Sequence, residues 1–271
     1  IHSRFVDGNV LEDGFQLDEA CGPLLAAAAY AARTRDLAFL RGRRAALDGL
    51  EDGLLARRDA AAGLFSTIED SQDEFIAEPF FTYANVLVWR TLRDLAGLRA
   101  ALGERSRAAS LRRLAVRLRA AVLRHCVAAG PSGRMFCVAT DLKRPRFADV
   151  PPGSLLTLPR LGFVREDDPV FVRTMRWLHS TGYPYANAGT PYGLPGSYRL
   201  ASTTCWSVAD HLRLKAHRDR ARTILLGSSW NAGIVSEGID PRTGEGFAAG
   251  GAFAAAAGYV AHAVYEVYGR R

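Results

Sequence analysis

Two neighbouring stretches decide the fold: "FFTYANVLVWRTLRDLAGL", Phe80–Leu98, and "ERSRAASLRRLAVRLRAAVLRHCVA", Glu104–Ala128. In both, apolar residues return three and four positions apart, the spacing that lines one face of an α-helix. The connection between them is short and contains Gly103. Two helices joined this way fold back as an antiparallel hairpin. The same spacing predicts helices over Leu17–Arg33, Asp36–Arg57, Pro169–Ser180, Thr203–Ala216, His217–Leu226 and Gly250–Tyr268. "SLLTLPRLGF", Ser154–Phe163, reads as a shorter helix or turn after the stop at Pro151 and Pro152. Strand-like alternation is nearly absent. The chain reads as all-α.

Short connections alternate with long ones rich in Gly, Pro and acidic residues: 58–79, 129–152, 181–202 and 227–249. Long loops in a folded domain usually carry function. Their regular recurrence predicts an (α/α)6-type toroid of α-hairpins with the long loops gathered at one end. We read residues 1–271 as a single domain of this kind, part of a larger parent chain. A closed double ring needs more helices than can be counted here. The first hairpins would then be missing from this chain, and an additional N-terminal segment or a subunit would complete the toroid.

Composition narrows the class. The chain is 48% hydrophobic and 23% charged, as suits a soluble globular protein. No apolar run is long enough to predict a membrane span. The opening "IHSRFVDGNV" lacks the apolar centre of a secretory leader. The expectation is a cytoplasmic protein with no membrane partner. The net charge of +7 comes largely from Arg at helical spacing, which reads as solvated helix faces. No nucleic-acid motif accompanies it, so no nucleic-acid partner is expected. Cys21, Cys126, Cys137 and Cys205 form no ligand-like spacing and read as small buried hydrophobes. The six histidines show no triad or metal spacing either. No metal and no cofactor is expected.

Two loops carry carboxylates just ahead of helix starts: "STIEDSQDEFIAEPFF", Ser66–Phe81, and "SEGIDPRTGEGF", Ser236–Phe247. Taken alone, each has a plain structural reading. Ser71 or Asp73 would cap a helix, and Pro241 and Gly244 would form a turn. The chemical reading is a pair of carboxylates working on a glycosidic bond, one protonating the leaving oxygen and one serving the opposite face of the sugar. Gln16 and Asp18 head a helix, where they either favour its N-terminus or bond sugar hydroxyls. Trp206 is either a core residue or a platform for a sugar ring. Tyr185 and Trp230 lie in long loops and are candidates for a pocket mouth.

Four stretches in order carry a family resemblance: "DGFQLDEACGPLLAAAAYAARTRD", "DEFIAEPFFTYANVLVWRTL", "FADVPPGSLLTLPRLGFVREDDPVFVRTMRWL" and "SEGIDPRTGEGFAAGGAFAAAAGYV". With them the chain resembles the α/α-toroid glycoside hydrolases, namely family 15 (glucoamylase-like) and family 125 (exo-α-mannosidase-like). The third stretch is nearer the mannosidase-like family. The resemblance implies an inverting, exo-acting hydrolase of α-linked glucosyl or mannosyl groups acting on a carbohydrate substrate. It implies Asp73 as general acid, with Glu74 and Asp70 as rivals. Phe80 and Phe81 would help hold a proton on Asp73 near neutral pH. It implies Glu237 as general base, with Glu245 as rival, and Gln16, Asp18, Trp206, Tyr185 and Trp230 as substrate-binding residues. The Arg-Asp clamp of the family's first hairpin does not occur in this chain. The alternative is therefore a non-catalytic carbohydrate-binding or scaffold toroid.

Overall fold

Helix α4 (Thr82–Ala101) is apolar on nearly every side: Val86, Leu87, Val88, Trp89, Leu92, Leu95 and Leu98 are all buried. A helix of that kind needs neighbours on more than one face. It has them in α1 (Leu17–Thr34) and α5 (Arg105–His125). Helix α5 is the opposite case. Its buried residues, Ala108, Leu111, Leu114, Ala115, Leu118, Ala121 and Val122, form one stripe, and its arginines take the other faces. An inner helix paired with an outer, amphipathic one is the repeating unit of the α/α hairpin fold. The structure, a computed structural model, describes residues 3–4, 7, 9–12, 14–149, 153–247 and 251–269. It is built as two compact units, one of residues 1–128 and 137–146, the other of residues 129–136 and 147–271.

The first unit also holds α2 (Leu37–Gly42) and α3 (Arg44–Leu55). The sequence spacing predicted one helix over Asp36–Arg57. The structure breaks it at Arg43, which follows Gly42 and sits at φ −110°, ψ 15°. Asp36 caps α2 by accepting from the Phe39 N–H at 3.1 Å. Arg99, fully buried near the end of α4, closes this corner. Its Nε donates to Glu51 at 2.9 Å and its Nη1 to Glu104 at 3.1 Å. Its Nη2 lies 2.7 Å from Asp48, close enough for ion pairing. Glu51, also buried, takes a second cation from Arg107 Nε at 2.6 Å. At the other end of α4, buried Asn85 donates to the carbonyls of Phe65 and Phe81 and accepts from the Phe65 N–H. One amide thus satisfies the backbone where the long loop meets the helix.

The second unit holds α6 (Pro169–Leu178), α7 (Cys205–Arg213), α8 (Arg218–Gly227) and α9 (Ala254–Tyr268). Asp168 and Pro169 start α6 as a capping residue and a first-turn proline should. The Asp168 carboxylate accepts from the N–H groups of Val170 and Phe171. Cys205, Val208, Ala209 and Leu212 on α7 meet Ala221 and Ile224 from α8 and Ala256, Val260 and Ala263 from α9. "SLLTLPRLGF" opens with a short 3₁₀ turn at Leu155–Thr157. The stop at Pro151 and Pro152, and the expected helix start at Gly250, lie outside the described residues.

The long loops contain short strands that alternation could not reveal, since most have only two residues. Phe80–Phe81 pairs antiparallel with Ala139–Thr140, and Thr203–Thr204 with Gly238–Ile239. Segments 127–130 and 133–136 form a hairpin inside what the sequence suggested was loop. Among the described residues no helix is long and apolar enough to cross a membrane. All four cysteines are buried and free, as their apolar surroundings implied.

Candidate active site

The acidic loop of the first unit is tied to the segment that opens α1. The N–H of Ile68 and the hydroxyl of Thr67 both reach the Phe15 carbonyl, at 3.1 Å each. Glu69 is nearly buried, and its carboxylate fills the space beside Gly14. A Cβ at Gly14 would fall 1.9 Å from a Glu69 oxygen, so this close approach demands glycine. Asp70 is fully buried and accepts from the Gln72 N–H at 2.8 Å. Glu78 pairs with Arg146 at 3.3 Å. Asp73 differs from Glu69 and Asp70. Its side chain is exposed, and its φ of 61° places it in the left-handed region that Asp tolerates better than most residues.

Gln16 links these groups. It is buried ahead of α1, and its Nε2 donates to Asp73 Oδ1 at 2.5 Å and lies 3.5 Å from Glu69 Oε2. Its side chain makes no cap bond to the helix. Asp18 stands half-buried in the first turn of α1, where the helix dipole favours a negative charge. One expectation is corrected here. Phe80 and Phe81 are buried in the core of this unit, whereas the Asp73 carboxyl is exposed. The aromatic pair therefore does not enclose Asp73.

In the second unit, Glu237 is held by its main chain. Its carbonyl accepts from the Cys205 N–H at 2.9 Å, where α7 begins. The flanking Gly238–Ile239 pairs with Thr203–Thr204, and the buried Ser236 hydroxyl donates to the Gly238 carbonyl at 2.8 Å. Thr204 caps α7 by accepting from the Ser207 N–H. The Glu237 side chain is half-buried. Burial pushes the Cys205 thiol up well above its ordinary range, and the Glu237 charge adds to that effect. Glu245 is exposed, further along the same loop.

The aromatic candidates differ in placement. Trp206, in the first turn of α7, is half-buried and meets Phe253 edge-on, ring centres 5.9 Å apart. Tyr185 is half-buried and edge-on to Tyr183 at 5.7 Å. Trp230 is only 6% exposed, packs in the core around α7, and donates its indole N–H to the Leu225 carbonyl at 3.0 Å. That packing and bond account for its burial.

Two features escaped the sequence reading. Asp149 is almost wholly buried. It accepts a bond from the Ser154 hydroxyl and another from the Leu155 N–H at 3.1 Å, and so fixes the 3₁₀ turn. Its signal would have been an aspartate just ahead of a serine at a helix start. The second feature is a cluster of histidines in the second unit. His179, His211 and His217 bring one ring nitrogen each within 4.8 Å of one another. Spacings of 32 and 6 residues carry no ligand signature, so only the fold could reveal them.

Helical hairpins with long acid-bearing loops define the class: the α/α-toroid glycoside hydrolases. Residues 27–249 match the family described as metal-independent alpha-mannosidase (GH125), and the chain belongs to that family. Among solved structures it is similar to a Streptococcus pneumoniae metal-independent α-mannosidase in a non-productive complex with α-1,6-mannobiose. That match has 16% identity and a TM-score of 0.81, and covers 97% of this chain and 71% of the other. A bacterial glucoamylase complexed with acarbose matches at 18% identity and TM-score 0.70, over 96% of this chain and 42% of the other. A rhamnosidase from Klebsiella oxytoca with rhamnose bound matches at 19% identity and TM-score 0.60, over 98% of this chain and 50% of the other. At these identities the structural likenesses establish the fold. No curated protein sequence matched the chain.

Proposed function

We propose that this chain is an inverting, exo-acting hydrolase of α-linked mannosyl groups, with Asp73 as general acid and Glu237 as general base. The family supports a mannoside over the glucoside that the glucoamylase likeness would suggest. The observation that carries the acid assignment is the Gln16 amide on Asp73 Oδ1. An exposed carboxyl oriented through one oxygen leaves the other to carry the transferable proton. Glu69 and Asp70, turned inward, are packed as structural groups. In the proposed reaction Asp73 gives its proton to the glycosidic oxygen as the bond from that oxygen to the anomeric carbon breaks. Glu237 removes a proton from the water whose oxygen bonds to the opposite face of that carbon. Inversion needs about 6.5–9.5 Å between the two carboxyl groups, room for that water.

The test is a proton NMR time course on an α-mannobiose, which reads the first-formed anomer. β-Mannose first supports inversion, and α-mannose first overturns it. Asp73→Asn and Glu237→Gln should each lower turnover by ~10²–10⁴-fold, the usual worth of general acid–base assistance. Circular dichroism should be unchanged in both. Full activity in either variant would remove that residue from the assignment and point to Glu74 or Glu245.

A further inference from the structure

Three histidines from three parts of the second unit converge. His179 ends α6, His211 lies in the last turn of α7, and His217 directly precedes α8. His211 is fully buried, and its Nδ1 lies 2.6 Å from the Ser207 carbonyl. A carbonyl only accepts, so Nδ1 carries the hydrogen and Nε2 offers its lone pair. That Nε2 lies 3.0 Å from His179 Nε2. The His217 ring stacks on His179, centres 4.6 Å apart and 9° from parallel. His179 and His217 face a cavity of about 260 Å³ whose wall includes the carboxylate-bearing Glu166 and the apolar Phe171, Met175 and Leu214. Glu166 is itself positioned by the Lys215 N–H, which donates to Oε2 at 2.8 Å.

We propose that His179, His211 and His217 form a binding site for one divalent transition-metal ion, with zinc the best match, its fourth position facing the cavity that Glu166 lines. Neutral imidazole suits zinc. Zn–N bonds of ~2.0–2.1 Å at tetrahedral angles set nitrogens about 3.3 Å apart. The His179–His211 pair needs to open by only a few tenths of an ångström. His217 has further to go. It turns out of its stack, which its half-buried position ahead of α8 permits. His179 moves its hydrogen from Nε2 to Nδ1, so no net proton is released. The Ser207 carbonyl on His211 Nδ1 is the outer contact that ligating histidines commonly have, fixing tautomer and ring direction. The site lies apart from the proposed chemistry: His211 stands six residues beyond Cys205, which is about 9 Å along α7 at the helical rise. The ion would tie α6, α7 and the start of α8 together, and turnover would not depend on it.

The experiment uses the tag-free chain, stripped with a chelator and dialysed against zinc chloride at micromolar free concentration. We expect one zinc per chain by atomic emission. The melting temperature should rise by about 5–10 °C when zinc exceeds its dissociation constant ~100-fold. His217→Ala and His179→Gln should each weaken binding by about tenfold or more, as loss of a ligand from a three-histidine site requires. Cobalt in place of zinc should give the intense visible bands of a four-coordinate ion. Zinc retained equally by both variants would place it elsewhere and overturn the site. So would a stripped chain that takes up none. Turnover that falls when zinc is removed would overturn the structural role.

Discussion

Replacing Arg99 tests how the first unit is held together. Arg99→Met keeps the length of the side chain and its helix propensity but removes a fully buried guanidinium. Glu51, 2% exposed, loses the Nε bond at 2.9 Å and the Nη2 contact at 2.8 Å. Breaking a buried ion pair from one side usually costs ~3–5 kcal/mol, because the remaining charge is stranded. Here Glu51 keeps Arg107 at 2.6 Å. Asp48 and Glu104 also keep cations, Arg107 at 3.1 Å and Arg44 at 3.1 Å. The expected loss is therefore at the low end, about 3 kcal/mol. At ~2–4 °C per kcal/mol this lowers the melting temperature by about 6–12 °C. Urea melts followed at two wavelengths would measure it, with the slope of free energy on urea held constant as a check on two-state behaviour. Adding Glu51→Met should recover most of the loss, since a buried charge then no longer lacks its partner. A loss under about 1 kcal/mol in the single variant, typical of a surface pair, would refute the reasoning. So would a double variant weaker than the single one.

Further outcomes follow from the same kind of argument. Burial, with the charge of His217 second, lowers the His179 pKa to about 4, and burial holds His211 well below its ordinary range. The unfolded chain binds these protons near pH 6.5 and the folded chain does not, so stability falls as pH drops from about 6.5 towards 4. Asp210, raised to about 6 by burial, works in the opposite direction over much of that window. The clean comparison is parent against His179→Gln in chelator, where the variant should lose less stability on acidification, by up to ~3 kcal/mol; identical slopes would exclude His179. Gly246→Val should destabilise the Glu237 loop by ~1–3 kcal/mol, since a Cβ there would lie 2.5 Å from the Trp230 carbonyl carbon; urea melts read it. Burial pushes the Cys21 thiol up to about 12, and all four cysteines are enclosed. An aromatic disulfide reagent should therefore react within minutes only after denaturant is added. If Asp73 is the acid, the pH–rate profile should lose its alkaline limb in Asp73→Asn; an unchanged limb would count against the assignment.

The helices were legible because each carries its own evidence within a few turns. The Arg-faced stripe of α5 and the nearly continuous apolar run of α4 both show in the sequence, and both have their cause in the structure: one face buried, or several. The resemblance then placed the two acid-bearing loops. What could not be read depended on partners distant in the chain. The break at Arg43 is a choice between two helical paths that local propensity does not settle. Trp230 sits among turn residues, yet its ring is enclosed by α7 and its neighbours. Gln16 looked like a cap or a sugar ligand, and its amide is spent on a carboxylate 57 residues away. The three histidines are the extreme case, because no spacing announces them.

The anchoring of Glu237 has an evolutionary side. Its carbonyl, and not its carboxylate, bonds the first N–H of α7, and the strand that follows, Gly238–Ile239 paired with Thr203–Thr204, does the same work for any side chain at that position. If Glu237 is the base, as proposed above, a single codon change at 237 would silence the chemistry while sparing the scaffold. Descendants that keep sugar affinity without turnover are thus one mutational step away. On that assignment, selection on catalysis and not on folding is what would hold the glutamate in place.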